Sequence, residues 1–349
     1  MTLNFTLKQH TPMLHFQHGQ KGATLRASDV KPRFDRWLVR EIWNDDFDAC
    51  KKYLVGYSDK EESALRSRFS SEGYRALNYK MRITPVNDLT RYVAMKQFPA
   101  QSHGAPVLDD MTGIQKETTQ TYPSRNQSVV MSNIGGRLPE DVVNFSLYEY
   151  LEVTLTLDDR DLAKALKDNF EEFLLMTNFG NRKSKGFGSF VMSENNGKVI
   201  NDLYMPAPWV IYMTITSDRK AIIPEKAYRD LFTVINKLWR KLKSHYRGPR
   251  SSNRSVLLGQ DCRDIGTPPR IPSPIIFKPI VLDRTKDKWE IAIELLYDSE
   301  VVSEACIAGT DKVYDGYVND LNEYLEGVDL VKFAHDLSLN YSLDELIIE

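Results

Sequence analysis

Residues 178–190 constrain the fold of this chain more than any other stretch of the sequence. They read Asn-Phe-Gly-Asn-Arg-Lys-Ser-Lys-Gly-Phe-Gly-Ser-Phe, so that three glycines flank three cations. Apolar residues recur at helical spacing up to about Met176, and Gly188 to Met192 has the composition of a strand. Because the chain turns here from a helix directly into a strand, the segment favours an α+β fold in which helices pack on sheets.

The first half of the chain follows the order β-α-β-β-α-β, which is that of a ferredoxin-like domain. Alternating apolar and polar residues indicate strands, and apolar residues on one helical face indicate helices. The pattern predicts strands over 3–8, 78–84, 146–157 and 188–192, a helix over 30–42 capped by Ser28 or Asp29, and a helix from Asp158 to about 176. Proline and glycine interrupt residues 85–145 repeatedly, which predicts a protruding insertion, since a structureless loop of this length is uncommon in a compact domain.

The second half repeats this plan more loosely. It predicts strands over 209–215, 275–280 and 289–297, and helices over 224–244 and about 314–325. A chain of 349 residues also exceeds the size at which one hydrophobic core usually stops growing. We therefore predict two tandem ferredoxin-like domains: residues 1–197 with the insertion and the glycine-rich segment, and residues 198–349 with acidic C-terminal helices.

Composition narrows the classes of function. No stretch approaches the ~20 apolar residues of a membrane helix, and the N-terminal residues lack the basic and apolar regions of a secretory signal. A cytoplasmic protein with no membrane partner is therefore expected. The three cysteines, Cys50, Cys262 and Cys306, are widely separated, which argues against a disulfide framework or a zinc ribbon. No metal and no other cofactor are expected.

The net charge of −2 hides two segments of opposite charge. Residues 231–260 contain no carboxylate, and their basic side chains continue past the predicted helix to Arg247, Arg250 and Arg254 in a Gly/Pro/Ser-rich loop. We predict a second phosphate contact at these three arginines. Residues 311–349 carry ten carboxylates and only two lysines. That segment either docks on a basic patch of a partner subunit or forms a solvated face.

Residue types alone leave two interpretations of residues 178–190 open. The cations are Arg182, Lys183 and Lys185, and the aromatic residues between the glycines and cations are Phe179 and Phe187. In the first interpretation the backbone and the cations bind phosphate while an aromatic ring stacks on a base. In the second the segment is a tight surface turn with solvated cations. It is not a Walker A loop, which ends in Gly-Lys-Ser/Thr, nor a dinucleotide fingerprint, which follows a strand and opens a helix.

The same residues resemble the glycine-rich loop of the RAMP superfamily of CRISPR-associated proteins. The hallmark of that loop is a run of glycines and cations with a Gly-Phe-Gly ending, placed after the last helix of a ferredoxin-like domain. Three further stretches, residues 7–14, 25–37 and 273–278, resemble more narrowly the family of first subunits of the type III-B (Cmr) effector complex. The resemblance touches both halves of the chain and leaves residues 85–145 and 311–349 unmatched.

The resemblance implies that the chain holds guide RNA, target RNA or both within a ribonucleoprotein, together with other RAMP subunits. The residues that it implies for RNA binding are Gly180, Arg182, Lys183, Lys185, Gly186, Phe187 and Gly188 in the loop, and Arg26, Lys31, Arg33 and Arg36 on the first helix. Without the resemblance, the cations of the first helix would be interpreted as a solvated basic face.

Two catalytic alternatives accompany the favoured prediction of a non-catalytic RNA-binding subunit. Some RAMP endoribonucleases that process guide RNA use a histidine, and an imidazole suits acid–base cleavage, so His15 or His18 is a candidate. Asp109 and Asp110 in the predicted insertion are a second candidate, because some type III subunits cut target RNA with an aspartate on such a loop. A purely architectural subunit is a third alternative.

Overall fold

The computed structural model describes residues 1–14, 24–86, 90–94, 143–180, 182–194, 209–216, 221–222, 224–245, 273, 275–297 and 346–348. The strands of the first lobe are β1 (Thr2–Gln9), β2 (Met13–Leu14), β3 (Lys80–Pro85), β4 (Thr90–Ala94), β5 (Val143–Leu147), β6 (Tyr150–Thr156) and β7 (Phe190–Met192). Its helices are α1 (Ala27–Glu41), α2 (Phe47–Cys50), α3 (Glu62–Ser71) and α4 (Arg160–Leu175), with a 3-10 turn at Lys51–Tyr53. The second lobe contains β8 (Trp209–Thr216), α5 (Pro224–His245), β9 (Ile275–Arg284), β10 (Lys288–Tyr297) and β11 (Leu346–Ile348).

The main sheet of the first lobe has the order β3-β6-β1-β7, and all its neighbouring strands are antiparallel. Helices α1 and α4 contribute the aromatic centre of the core beside this sheet. Phe34 of α1 lies 5.1 Å from Phe170 and 4.8 Å from Phe173 of α4, measured between ring centroids. Each of these rings is at most 2% exposed, so they anchor both helices to one hydrophobic core.

The sheet of the second lobe has the order β11-β8-β10-β9, again with antiparallel neighbours. The two sheets therefore share one strand order. When the strands of each sheet are numbered by their order in the chain, they lie side by side as fourth, first, third and second. Helix α5 covers this sheet, with Trp239 on Phe277 of β9 and Tyr228 on Trp289 of β10. The helix predicted near 314–325 lies outside the described residues, so a complete second ferredoxin-like domain stays a prediction.

The ends of the predicted insertion are ordered. Strands β4 and β5 pair with each other, and β5 also pairs with β2, which gives a separate three-stranded sheet. The remainder of residues 85–145 lies outside the described part of the chain, as does the predicted boundary between the domains at 197 and 198. None of the described helices is long and apolar enough to cross a membrane.

The two long helices of the first lobe begin differently from one another. Asp159 caps α4 as predicted for the Asp158–Asp159 start, because its carboxylate accepts a hydrogen bond of 2.8 Å from the Leu162 amide. The cap predicted for α1 at Ser28 or Asp29 is wrong, since α1 begins at Ala27 and its N-cap residue, Arg26, makes no capping bond through its side chain. Packing of Val30 and Phe34 into the core positions this helix without such a cap.

A candidate nucleic-acid interface at the joint between the lobes

The glycine loop, which we define as residues 178–189 between α4 and β7, lies against strand β9 of the second lobe. The amide of Phe277 donates a hydrogen bond of 3.2 Å to the Ser184 carbonyl. The Asn178 side-chain amide donates to the carbonyls of Phe277 and Lys183, each at 2.8 Å. The Ser189 hydroxyl donates to the Pro279 carbonyl at 2.6 Å. The loop is therefore part of the joint between the lobes.

Residues that follow β1 hold the other side of the loop. The Thr11 hydroxyl donates to the Gly186 carbonyl at 2.6 Å and accepts from the Ser189 amide at 2.9 Å. The Gly188 amide donates to the Pro12 carbonyl at 3.0 Å. Because Thr11 is fully buried, these bonds are shielded from water. The loop is thus clamped between the end of β1 and the start of β9.

His10 completes the clamp. Its Nδ1 accepts a hydrogen bond of 2.9 Å from the Val281 amide, so this nitrogen carries no proton. Burial lowers the pKa of His10 well below its ordinary value, and the positive charges of Lys8, Lys278 and Arg284 lower it further. The joint therefore requires a neutral imidazole at position 10.

Two glycines of the loop are explained by close packing inside the protein. A Cβ on Gly188, at φ +67°, would lie 2.0 Å from the Phe179 carbonyl oxygen. A Cβ on Gly186, at φ +83°, would lie 2.7 Å from Ile235 of α5 and 2.8 Å from Pro279 of β9. Both positions combine a left-handed backbone with a lack of space for any side chain. In this structure the close approach that the glycines permit is to protein atoms.

The prediction that Phe187 or Phe179 stacks on a base is wrong for the structure described. Phe187 is 1% exposed and stacks face to face on Phe232 of α5, with ring centroids 3.9 Å apart. Phe179 is also 1% exposed and meets Phe173 and Phe190 edge to face. Both rings serve the cores on either side of the joint, so neither has a free face for a ligand.

The cations of the loop lie at its outer edge. Arg182, Lys183 and Lys185 are all half-buried, and each also interacts within the protein. Arg182 adopts a left-handed backbone, at φ 58°, which turns the chain between Gly180 and Gly186. The Lys185 ammonium lies 3.4 Å from the side-chain oxygen of Asn236 on α5.

Helix α5 carries two further basic residues close to Asn236 in the sequence. Lys237 follows Asn236 directly and is 7% exposed, and Lys241 lies one turn further along and is half-buried. The glycine loop itself contains no carboxylate. The loop therefore carries three cations on one turn, with Lys185 beside α5 of the second lobe, which is a suitable arrangement for a phosphate backbone.

The predicted RNA-facing cations of α1 separate into two groups. Arg33 points into the joint: its guanidinium donates to the Asn178 carbonyl at 2.7 Å and to the Thr177 hydroxyl, and it lies 5.2 Å from the centre of the Phe179 ring. Its observed partners are thus Thr177 and Asn178 at the start of the loop, so Arg33 supports the loop from α1, and its contact with RNA stays a prediction.

Lys31 is also engaged internally. Its ammonium pairs with the buried Asp35 at 2.6 Å, donates to the Leu77 carbonyl at 2.9 Å and lies 4.2 Å from the centre of the Tyr79 ring. It therefore fixes α1 to the chain that leads into β3, and its predicted contact with RNA stays a prediction. Arg36 is exposed, and Arg26 is half-buried just before the helix, so α1 presents Arg36 most openly.

Several predicted site residues lie outside the described part of the chain. They are His15, His18, Asp109, Asp110, Arg247, Arg250 and Arg254. Among the described residues no group of His, Cys, Asp and Glu could hold a metal ion. Thr11, Asn178 and Asn236 were not predicted as site residues. In the sequence they are marked only as polar residues that flank a glycine segment or lie within an apolar helix.

These features define a mixed α/β protein with antiparallel sheets. The chain belongs to the Cmr1 family of type III-B CRISPR-associated RAMP proteins, because the model of the Cmr1 N-terminal domain matches residues 1–246. The predicted resemblance is thereby confirmed, and family membership points to a subunit of a type III-B CRISPR complex.

Comparison with solved structures finds Cmr1 from Pyrococcus furiosus in its apo form. The match has 10% sequence identity and a TM-score of 0.38, and it covers 94% of this chain and 96% of that chain. No curated protein matches the sequence.

Proposed function

We propose that this protein is a non-catalytic RNA-binding subunit of a type III-B CRISPR effector ribonucleoprotein. In this proposal Arg182, Lys183 and Lys185, at the outer edge of the glycine loop, contact the phosphates of guide RNA or target RNA. The protein works beside other RAMP subunits and consists of two tandem ferredoxin-like domains, residues 1–197 and 198–349.

The convergence of cations on the joint is the observation that carries this proposal. Arg182, Lys183 and Lys185 lie on one short turn, and Asn236 fixes Lys185 beside α5. Phosphate contacts give most of the affinity of a protein for single-stranded RNA, and they need only local cationic density. A near-neutral total charge is therefore compatible with this function.

An architectural role is a second candidate, and the burial of the loop favours it. Gly186, Gly188 and Phe187 pack against atoms of the protein, and the hydrogen bonds of Asn178 and Ser189 tie one lobe to the other. In that case the loop would hold the lobes in the arrangement that neighbouring subunits require, and RNA contact would be incidental.

Charge removal in the loop separates the two candidates. We expect the triple substitution Arg182→Gln, Lys183→Gln and Lys185→Gln, called the loop variant below, to weaken binding of single-stranded RNA. It should also lower the slope of log affinity against log salt by about 2, since each lost phosphate contact removes about 0.7 from that slope. Filter binding from 50 to 300 mM salt measures both quantities.

A matched control is the triple substitution Lys51→Gln, Lys52→Gln and Arg66→Gln. It removes the same charge from the 3-10 turn and α3, where these cations pair with Glu62, Asp48 and, for Lys52, Asp161 of α4. RNA affinity and slope should stay close to wild type in this control. Equal loss in both variants would mean a general charge effect, and no loss in the loop variant would favour the architectural candidate.

The non-catalytic part of the proposal has its own test. Incubation of the purified chain with labelled repeat RNA and with target RNA, with and without divalent metal ions, should leave both RNAs intact. Cleavage that disappears in His15→Ala, His18→Ala or Asp109→Ala would establish one of the nuclease alternatives instead.

A further inference from the structure

One buried cation lies behind the glycine loop and not at its outer edge. Lys278 of β9 is 0% exposed, and its ammonium donates hydrogen bonds to the Thr177 carbonyl at 2.8 Å and to the Phe190 carbonyl at 2.9 Å. Thr177 is the residue directly before the loop, and Phe190 is the residue directly after it. A single side chain of the second lobe therefore holds together both ends of a loop that belongs to the first lobe.

The neighbours of Lys278 in β9 contact the loop as well. Phe277 donates a hydrogen bond to Ser184 and accepts one from Asn178. Pro279 accepts one from Ser189. Three consecutive residues of β9 thus follow the loop from its first residue to its last. Lys278 is the middle one, and it alone reaches both ends.

Burying a lysine at this position costs free energy, because its charged ammonium is removed from water. Burial lowers the pKa of Lys278 to about 7, although Glu294, its partner in the register of β9 and β10, raises it. An apolar side chain would avoid this cost but would leave the carbonyls of Thr177 and Phe190 buried without this donor. The geometry accounts for the ammonium, because two carbonyls from separate positions in the chain converge on one donor group.

We propose that Lys278 is the positioning residue that holds the glycine loop in its RNA-binding shape. The inference rests on the proposed function, because it assigns Lys278 to the same site without RNA contact of its own. It acts by fixing the distance between Thr177 and Phe190, and that distance sets the turn that carries Arg182, Lys183 and Lys185. Arg33, which reaches Thr177 and Asn178 from α1, supports the same end of the loop from the first lobe.

The test is Lys278→Met in the full chain, because methionine has a similar length and no donor. Hydrogen exchange followed by mass spectrometry reports on the loop directly, without RNA. We expect the amides of Lys185, Gly186 and Gly188, which are hydrogen-bonded within the joint, to exchange at least tenfold faster in the variant. RNA affinity should fall to about that of the loop variant.

A double-mutant cycle separates positioning from general stability. Combining Lys278→Met with the loop variant should cause no further loss of RNA affinity, because both substitutions act through the same cations. Ile291→Ala is the matched control: Ile291 is buried in β10 and pairs with Val281 and Met213, away from the loop. At a temperature where all variants are folded, this control should keep loop protection and RNA affinity.

Lys278→Gln, which retains an NH2 donor on a shorter stem, should recover part of the loop protection and part of the affinity. Unchanged loop exchange in folded Lys278→Met would overturn the proposal, and so would additive losses in the cycle. If neither Lys278 variant folds, the residue serves the whole fold and the positioning assignment is wrong. If the loop variant binds RNA normally while Lys278→Met loosens the loop, the proposed function fails and the structural link between Lys278 and the loop survives.

Discussion

The joint and the α2–α3 region, residues 45–75, use cations in opposite ways. In the α2–α3 region Lys51 pairs with Glu62 at 2.8 Å, Arg66 with Asp48 at 2.6 Å and Arg75 with Asp45 at 3.0 Å. Those carboxylates come from the same region, so its charge is cancelled locally. The glycine loop contributes three cations and no carboxylate of its own.

The two regions differ in packing as well. The ion pairs of Lys51, Arg66 and Arg75 join residues at most 30 positions apart, whereas the joint brings together residues near 10, 186 and 279. A surface built from local ion pairs tolerates change, because exposed pairs contribute little. A joint built from buried, long-range hydrogen bonds does not, because each lost partner leaves a buried polar group unsatisfied.

Glycines with the same backbone angle offer the sharpest comparison. Gly186 of the joint and Gly56 of the α2–α3 region both have φ +83°, but a Cβ on Gly56 would meet nothing within 4 Å. Gly56→Ala should cost only the strain of a left-handed alanine, about 1 kcal/mol. Gly186→Ala adds overlap with Ile235 and Pro279, and we expect a loss of about 3–5 kcal/mol. Urea unfolding of the two variants measures the difference, and equal losses would contradict the contrast.

Arg33→Met tests the support that α1 gives to the loop. The substitution keeps an apolar stem against Phe179 and removes the donors to Thr177 and Asn178. Because a partly buried carbonyl loses a charged donor, we expect a loss of about 1–3 kcal/mol in the free energy of unfolding. Arg36→Met, one turn away at an exposed position, is the control and should change stability by less than ~0.5 kcal/mol. The contrast is refuted if the two variants have the same melting temperature.

The third prediction concerns pH and His10. Its pKa is lowered in the folded state, so below the ordinary value of 6.5 the unfolded chain binds a proton that the folded chain excludes. Stability should therefore be unaffected by His10 above about pH 7 and should fall by up to about 1.4 kcal/mol per pH unit as pH drops below 6.5. His10→Asn, which retains a side-chain acceptor without this titration, should remove that part of the acid sensitivity. Denaturant unfolding of the wild type and the variant between pH 5 and 8 measures this difference. The same pH dependence of stability in both proteins would exclude His10 as the cause of the acid sensitivity.

The smallest effect is expected at Glu62. Hydrogen bonds from Lys51, and then from Arg66, hold the pKa of this carboxyl below its usual range in an exposed setting. Glu62→Gln should leave the unfolding midpoint almost unchanged at 0.5 M salt, because screening already weakens the pairs that it breaks. A large loss at that salt concentration would show that the α2–α3 region depends on its ion pairs after all.

The long helices α1, α4 and α5 were the most predictable part of the fold, whereas the short helices α2 and α3 were not predicted. The apolar spacing from Leu162 to Leu174 locates α4 because these residues lie on the face that enters the core, and Asp159 caps it by a local bond. The glycine loop was also located correctly. Its partners were not predictable, because Phe232, Pro279 and Thr11 are far away in the sequence and carry no mark of the contact that they make.

The same limit applied to individual side chains of the candidate site. A basic residue on a helix has the same sequence pattern whether it is solvated or hydrogen-bonded within the protein. The partners of Arg33, Thr177 and Asn178, therefore could not be predicted from the sequence. An aromatic residue between two glycines likewise looks available to a base, although Phe187 is enclosed by α5. Lys278 was noted only as part of a strand that resembles the family, since nothing local marks a lysine as buried.

The position of β9 in the chain has a consequence for synthesis. A ribosome releases residues 178–189 nearly a hundred residues before Lys278, whose bonds to Thr177 and Phe190 span 101 and 88 positions. Until then the emerging first lobe has no β9 to pair with Ser184, and until residues 224–245 are made it has no α5 to cover Phe187. The nascent chain must therefore carry an exposed aromatic until α5 is complete, and a cationic turn without its β9 partner for the whole interval, on the order of 5–20 s at typical elongation rates. Chaperones that recognise exposed apolar segments have their best opportunity to engage this lobe during that interval.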